Sequence, residues 1–95
     1  MSGREAECLR ALVRSAAPLA VSASAVRRRR WASALFVGER LTVGVAAADD
    51  QALDAWLASL PEADLPMRSG FVASAEVTAR DAGRATLDLL VIDGD

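Results

Sequence analysis

Over residues 73–79 and again over 85–91 every second position is small or apolar. Ala73, Ala75, Val77 and Ala79 lead in; Ala85, Leu87, Leu89 and Val91 lead out. A period of two is the period of a strand, because successive side chains leave on opposite faces. Asp81-Ala82-Gly83 between the two runs suits a three-residue hairpin loop with Gly83 left-handed. Folding the chain about that loop opposes Ala79 to Ala85, Val77 to Leu87, Ala75 to Leu89 and Ala73 to Val91. All eight then share one face, and such a face must be buried against a second layer. One mismatch falls on the other face, where Glu76 opposes Asp88.

Residues 30–47 read as another hairpin. Gly38-Glu39 suits a two-residue type II′ turn with glycine first. This register pairs Val37 with Arg40, Phe36 with Leu41, Ala34 with Val43 and Ala32 with Val45. One face then carries Ala32, Ala34, Phe36, Leu41, Val43 and Val45. Residues 19–26 alternate more weakly, in Ala and Ser, and give a further candidate strand.

Two stretches have helical period instead. Ser2-Gly3-Arg4-Glu5 has the form of a capping box, followed by Leu9, Leu12, Val13 and Ala16. Pro18 bounds that helix, which is placed at about residues 3–16. Asp49 or Asp50 can cap a second helix with the stripe Leu53, Trp56, Leu57 and Leu60, ended by Pro61. Residues 61–70, with two prolines and a glycine, form a connection. The expected class is α+β: two helices packed on one face of a four- to five-stranded, mostly antiparallel sheet, in the order α-(β)-ββ-α-ββ. At 95 residues the chain makes one small domain.

The material for that core is unusual. Apolar residues are 53% of the chain, but alanine supplies much of this and Ile92 is the sole isoleucine. Alanine buries little area, so leucine and valine must carry the core. All eleven basic residues are arginine, as in a GC-rich bacterial genome. The single cysteine, Cys8, allows no internal disulfide and fits a reducing cytoplasm. Residues 11–25 superficially resemble a signal sequence, but Arg14 interrupts the apolar run and Glu5 and Glu7 occupy the place of a basic leader. No run reaches the ~18 apolar residues of a membrane span.

Charge is unevenly spread. Residues 1–48 hold eight arginines against three acids, and residues 49–95 hold three against ten, within a net charge of −2. The densest stretch is Arg27-Arg28-Arg29-Arg30, followed by Trp31. With a turn at Gly38, Arg30 lies at the open end of the first hairpin, near Asp49 and Asp50. Asp93 and Asp95 approach it only if the hairpins pack antiparallel; a helical crossover brings Asp81 instead. As a strand end, the run is a solvated face neutralised by acids. As a site, its guanidinium forks pair with phosphate and Trp31 stacks a base. Strand alternation sends Arg28 and Arg30 to one face and Arg27 and Arg29 to the other.

Catalytic chemistry is poorly represented. Histidine is absent, no serine sits in a nucleophile motif, and no glycine pattern cradles phosphate. Cys8 lies beside acids, which do not activate a thiol. Asp93-Gly94-Asp95 resembles only the first three positions of a calcium loop. The face the helices do not cover is apolar near the ends away from the turns: Trp31, Leu35, Val72, Leu90 and Ile92. An exposed apolar patch marks an interface. The expectation is a small bacterial cytoplasmic protein that is not an enzyme, takes no cofactor or metal, and makes no membrane contact. It acts through protein–protein contact, as a homodimer joined at those five residues. The alternative is an anion- or nucleic-acid-binding module built from Arg27, Arg28, Arg29, Arg30 and Trp31.

Overall fold

The computed structural model describes residues 3–93. Its order is α1 (Gly3–Ala16), β1 (Ser22–Ala32), β2 (Val37–Ala46), α2 (Asp50–Ser59), a 3-10 turn (Leu60–Glu62), β3 (Gly70–Asp81) and β4 (Arg84–Asp93). The strands form one antiparallel sheet in the order β1-β2-β4-β3, with both helices packed on one face. The expected α+β class is the one found, with four strands.

Both helices begin and end where composition places them. Asp49 caps α2, its carboxylate accepting from the Ala52 amide at 3.0 Å. The Leu53, Trp56, Leu57 and Leu60 stripe is buried. Trp56 Nε1 donates to Ser15 Oγ at 2.9 Å, which joins α2 to α1 without leaving the indole N–H unpaired. Ser2, the first residue of the capping box, lies outside the described residues.

Leucine and valine carry the core, as the alanine content requires. Leu12, Leu41, Leu53, Leu87, Leu89, Val43 and Val91 are fully buried, and each contributes about 1.5–3 kcal/mol. Cys8 is enclosed with them, and burial, with Glu7 beside it, pushes its thiol pKa up to about 11. A thiol held neutral among apolar neighbours is a packing element.

The first hairpin departs from its expected register. Its turn is Ser33–Phe36, not Gly38-Glu39, and the candidate strand at 19–26 continues into the start of the expected hairpin as one eleven-residue strand, Ser22–Ala32. Ser33 closes the turn: its amide donates to the Phe36 carbonyl at 2.8 Å, and its hydroxyl accepts from the Phe36 amide at 3.2 Å. The gain is a ladder along the whole of β2, from Ala32 opposite Val37 to Ser22 opposite Ala46. Ala23 and Ala25, rather than Ala32 and Ala34, therefore oppose Val45 and Val43. Gly38 serves a close approach instead of a turn. It is buried, and a Cβ there would run into the Val91 carbonyl.

The second hairpin keeps Val77 opposite Leu87, Ala75 opposite Leu89 and Glu76 opposite Asp88. Its loop is shorter than expected: Asp81 pairs with Arg84 around Ala82-Gly83, with Gly83 at φ +69°. Bulges at Thr78 and Ala73 absorb the slip, so Ala79 opposes Thr86 and Val72 opposes Val91.

Two carboxylates lock the helices to the sheet. Asp50 Oδ1 accepts from the Gly83 amide at 2.7 Å and from Arg80 Nη2 at 2.8 Å, which seats the start of α2 on the β3–β4 turn. Glu7 on α1 accepts from the Ser69 hydroxyl and the Arg68 amide, each at 2.6 Å, and holds the connection before β3. These hydrogen bonds lower both carboxyl pKa values: Ser69 acts most on Glu7, the Gly83 amide most on Asp50.

Two outcomes follow. A folded pKa below the unfolded value adds stability that is complete above the unfolded pKa and is lost as pH falls through the folded one. Urea midpoints measured from pH 6 downward should therefore fall below about pH 4.5, near the unfolded carboxyl value, and more shallowly in Glu7→Gln than in the parent. Gly38→Ala should cost about 1–3 kcal/mol, because the obstacle is backbone that cannot rotate away. A melting temperature unchanged in Gly38→Ala would show that the strands separate freely there.

Candidate functional site

The arginine run lies in the middle of β1, which is an edge strand. An edge strand offers unpaired backbone groups to other chains, and charged side chains with a bulge blunt it. β1 has both: four arginines, and a register shift between Ala25 and Arg27. The outer edge β3 is bulged twice, whereas the β2–β4 ladder runs without a shift.

Pairing splits the run between the faces, as alternation requires. Arg28 and Arg30 lie opposite Leu41 and Glu39, on the helix-facing side. There Glu39 accepts from Arg4 Nη1 at 3.0 Å and meets Arg28 Nε at 3.1 Å, while Arg4 Nη1 also reaches Asp93 Oδ1 at 2.5 Å. This cluster ties α1 to the sheet. The acid that meets the run on this side is thus Glu39, through Arg28, while Asp93 meets Arg4. Asp49 and Asp50 are not near it, since β2 carries them to the opposite end, where Asp50 meets Arg80. Asp93 is engaged by Arg4; the remainder of the calcium-loop resemblance lies outside the described residues. Among the described residues no three metal-ligating side chains cluster, and no helix is long and apolar enough to cross a membrane.

Arg27 and Arg29 lie on the face without helices. The register divides that face into rows across β1, β2, β4 and β3 in turn. The first is Trp31, Gly38, Ile92, Phe71; the second is Arg29, Arg40, Leu90, Ser74. The third is Arg27, Thr42, Asp88, Glu76. Further on come Ser24, Gly44, Thr86 and Ala79, then Ser22, Ala46, Arg84 and Asp81. The face is therefore apolar at the β1–β2 turn, charged in the middle, and small and polar beyond.

Of the residues expected at an interface, Trp31, Leu90 and Ile92 do fall on this face, close together. Ile92 is only 3% exposed there, flanked in its row by Gly38 and Phe71. Leu35 sits in the neighbouring turn and is 85% exposed. Val72 does not belong: the bulge at Ala73 turns it to the helix side, where it packs against the core. Its place is taken by Phe71, 49% exposed, a residue that the sequence reading placed on neither face. Phe36 and Val37, also exposed, extend the same end. The signal that could have found Phe71 was its size beside Gly70, at the start of a strand with no apolar partner on its core side.

The charged rows are only partly neutralised. Arg40 Nη1 donates to Asp88 Oδ2 at 2.9 Å, whereas Arg29 stands opposite Arg40. Arg27, Arg29, Arg40, Thr42, Thr78 and Asp88 surround an open hollow of about 330 Å³. The chain matches no protein-family model, no curated protein and no solved structure.

Glu39 holds two guanidiniums and is 15% exposed, so it is the acid on which the helix-side cluster depends. Glu39→Gln should lower unfolding stability by about 1–2 kcal/mol in urea, within the range of hydrogen bonds to charged groups and discounted for the exposure of Arg28. An unchanged midpoint would class these contacts with surface pairs that contribute nothing.

Proposed function

We propose that this chain is a non-catalytic protein–protein interaction module that pairs with a second copy of itself through the helix-free face of its sheet. The observation that carries this reading is the apolar end of that face. Trp31, Ile92 and Phe71 share a row, Leu90 stands in the next, and exposed Leu35 and Phe36 adjoin them in the turn. Large apolar side chains gathered at one end of an open sheet are the composition of an interface core rather than of scattered surface residues. The buried, unpaired Cys8 and the exclusive use of arginine support a bacterial, cytoplasmic setting.

A second reading has its own support. Arg27, Arg29 and Arg40 gather around one hollow, with Trp31 two rows from Arg27, and that geometry suits a phosphate with an adjacent base. Against it, Arg28 and Arg30 are on the other face and Asp88 stands inside the cluster, so the four-arginine run does not act as one patch. The two readings separate by salt, because phosphate binding weakens steeply with ionic strength and apolar association does not.

Light scattering coupled to size exclusion should give a dimer mass in both 50 mM and 1 M salt. Leu90→Glu places a charge in the apolar end without touching the core, and should shift the mass to that of a monomer while the far-ultraviolet spectrum is kept. A parent that is monomeric throughout, or a variant that stays dimeric, would remove this face as the interface.

A further inference from the structure

Taking self-association through this face as given, we infer that the two copies pack sheet on sheet about a twofold axis parallel to the strands, with Arg27 of each copy on Glu76 of the other. The pattern of the face selects the axis. A twofold in the plane between two facing sheets can run along the strands or across them. If it runs across them, each strand meets its own copy with the ends reversed. The Trp31–Phe71 row is then laid on the polar Ser22–Asp81 row, and the arginines of β1 face one another.

If the axis runs along the strands, β1 lies over β3 of the other copy and every row meets itself reversed. Trp31 and Phe71 then exchange across the interface, apolar on apolar. The turn bearing Leu35 and Phe36 comes over the end of the sheet where Phe71 of the other copy is exposed. In the charged row, Arg27 faces Glu76 and Thr42 faces Asp88. Like-charge crowding within one copy is thereby relieved. Glu76 opposite Asp88 is an unfavourable pair, and it gains Arg27 from the facing sheet, while Arg29 and Arg40 come over the uncharged Ser74 and Leu90. Apolar and charge patterns, which are independent, choose the same axis.

The size is adequate. Four strands ~4.8 Å apart and five rows of two residues at ~3.3 Å each give a flat area of roughly 600 Å² per copy. Side-chain relief raises that toward the ~800 Å² per partner of a standard interface.

A charge swap tests the arrangement. Within one copy Arg27 and Glu76 are three strand spacings apart, about 14 Å, beyond the ~8 Å Debye length at physiological salt. Any coupling between them in dimerisation therefore crosses the interface. Sedimentation equilibrium at 0.15 M salt is run on the parent, R27E, E76R and R27E/E76R, with circular dichroism confirming that each is folded. Both sites are exposed, and R27Q and E76Q replace either reversal that fails to fold. Each single reversal should weaken the dimer about tenfold or more, and the double reversal should return it to within about threefold of the parent. Dimerisation that responds to the two changes additively overturns the arrangement while leaving self-association intact. A parent that never dimerises overturns both.

Discussion

The pairing of β2 with β4 is the contact on which the other layers rest. These strands are separated in sequence by α2, the connection and β3, yet they form the uninterrupted centre of the sheet. Their ladder puts Leu41 opposite Leu89, Val43 opposite Leu87 and Val45 opposite Ala85. Those six side chains make the floor on which α1 and α2 bury Leu12, Leu53 and Trp56. Without that ladder each hairpin has an apolar face of its own but no second layer wide enough to cover it. The Asp50–Gly83 contact and the bond from the Ala47 amide to the Gly83 carbonyl fix where the β3–β4 turn meets the end of β2. Gly38 allows the close approach at the opposite end.

Placing β2 and β4 in the centre leaves β1 and β3 as edges, and the chain treats them as edges. Bulges fall only on the edge pairings, and the arginine run occupies one edge. This gives four consecutive arginines a physical role that requires no ligand: they keep other strands from adding to β1. It also explains why the run can be divided. Arg28 joins Arg4 at Glu39 and fastens α1, whereas Arg27 and Arg29 remain on the open face for whatever meets it.

The open face is where the fold leaves a demand unmet. On the helix side the small side chains Ala23, Ala25, Ala75 and Ala85 let the helices lie close over the larger residues, consistent with the alanine-rich composition. On the other side the row that begins at Trp31 has Gly38 and Ile92 buried at its centre but leaves Phe71 at its end and Leu35 and Phe36 in the adjoining turn exposed. Our reading assigns their cover to a second copy, because the face is complementary to itself in one orientation, both in apolar content and in sign of charge.

Sequence alone determined the elements whose signals are local. The helical periods at 3–16 and 50–60, a cap at Asp49 or Asp50, the left-handed Gly83 and the inward Leu87 and Leu89 each follow from spacing along one strand or one helix. The division of Arg27 and Arg29 from Arg28 and Arg30 followed from alternation in the same way. Tertiary structure decided what depends on distant partners. Gly38 reads locally as a turn, but its lack of a side chain is used against Val91, fifty-three residues later. Val72 reads as outward by parity, yet the bulge at Ala73 reverses it and puts Phe71 in its place. Parity is carried along a strand only until an extra residue is inserted. Whether one is inserted depends on the neighbouring strand, which lies elsewhere in the chain.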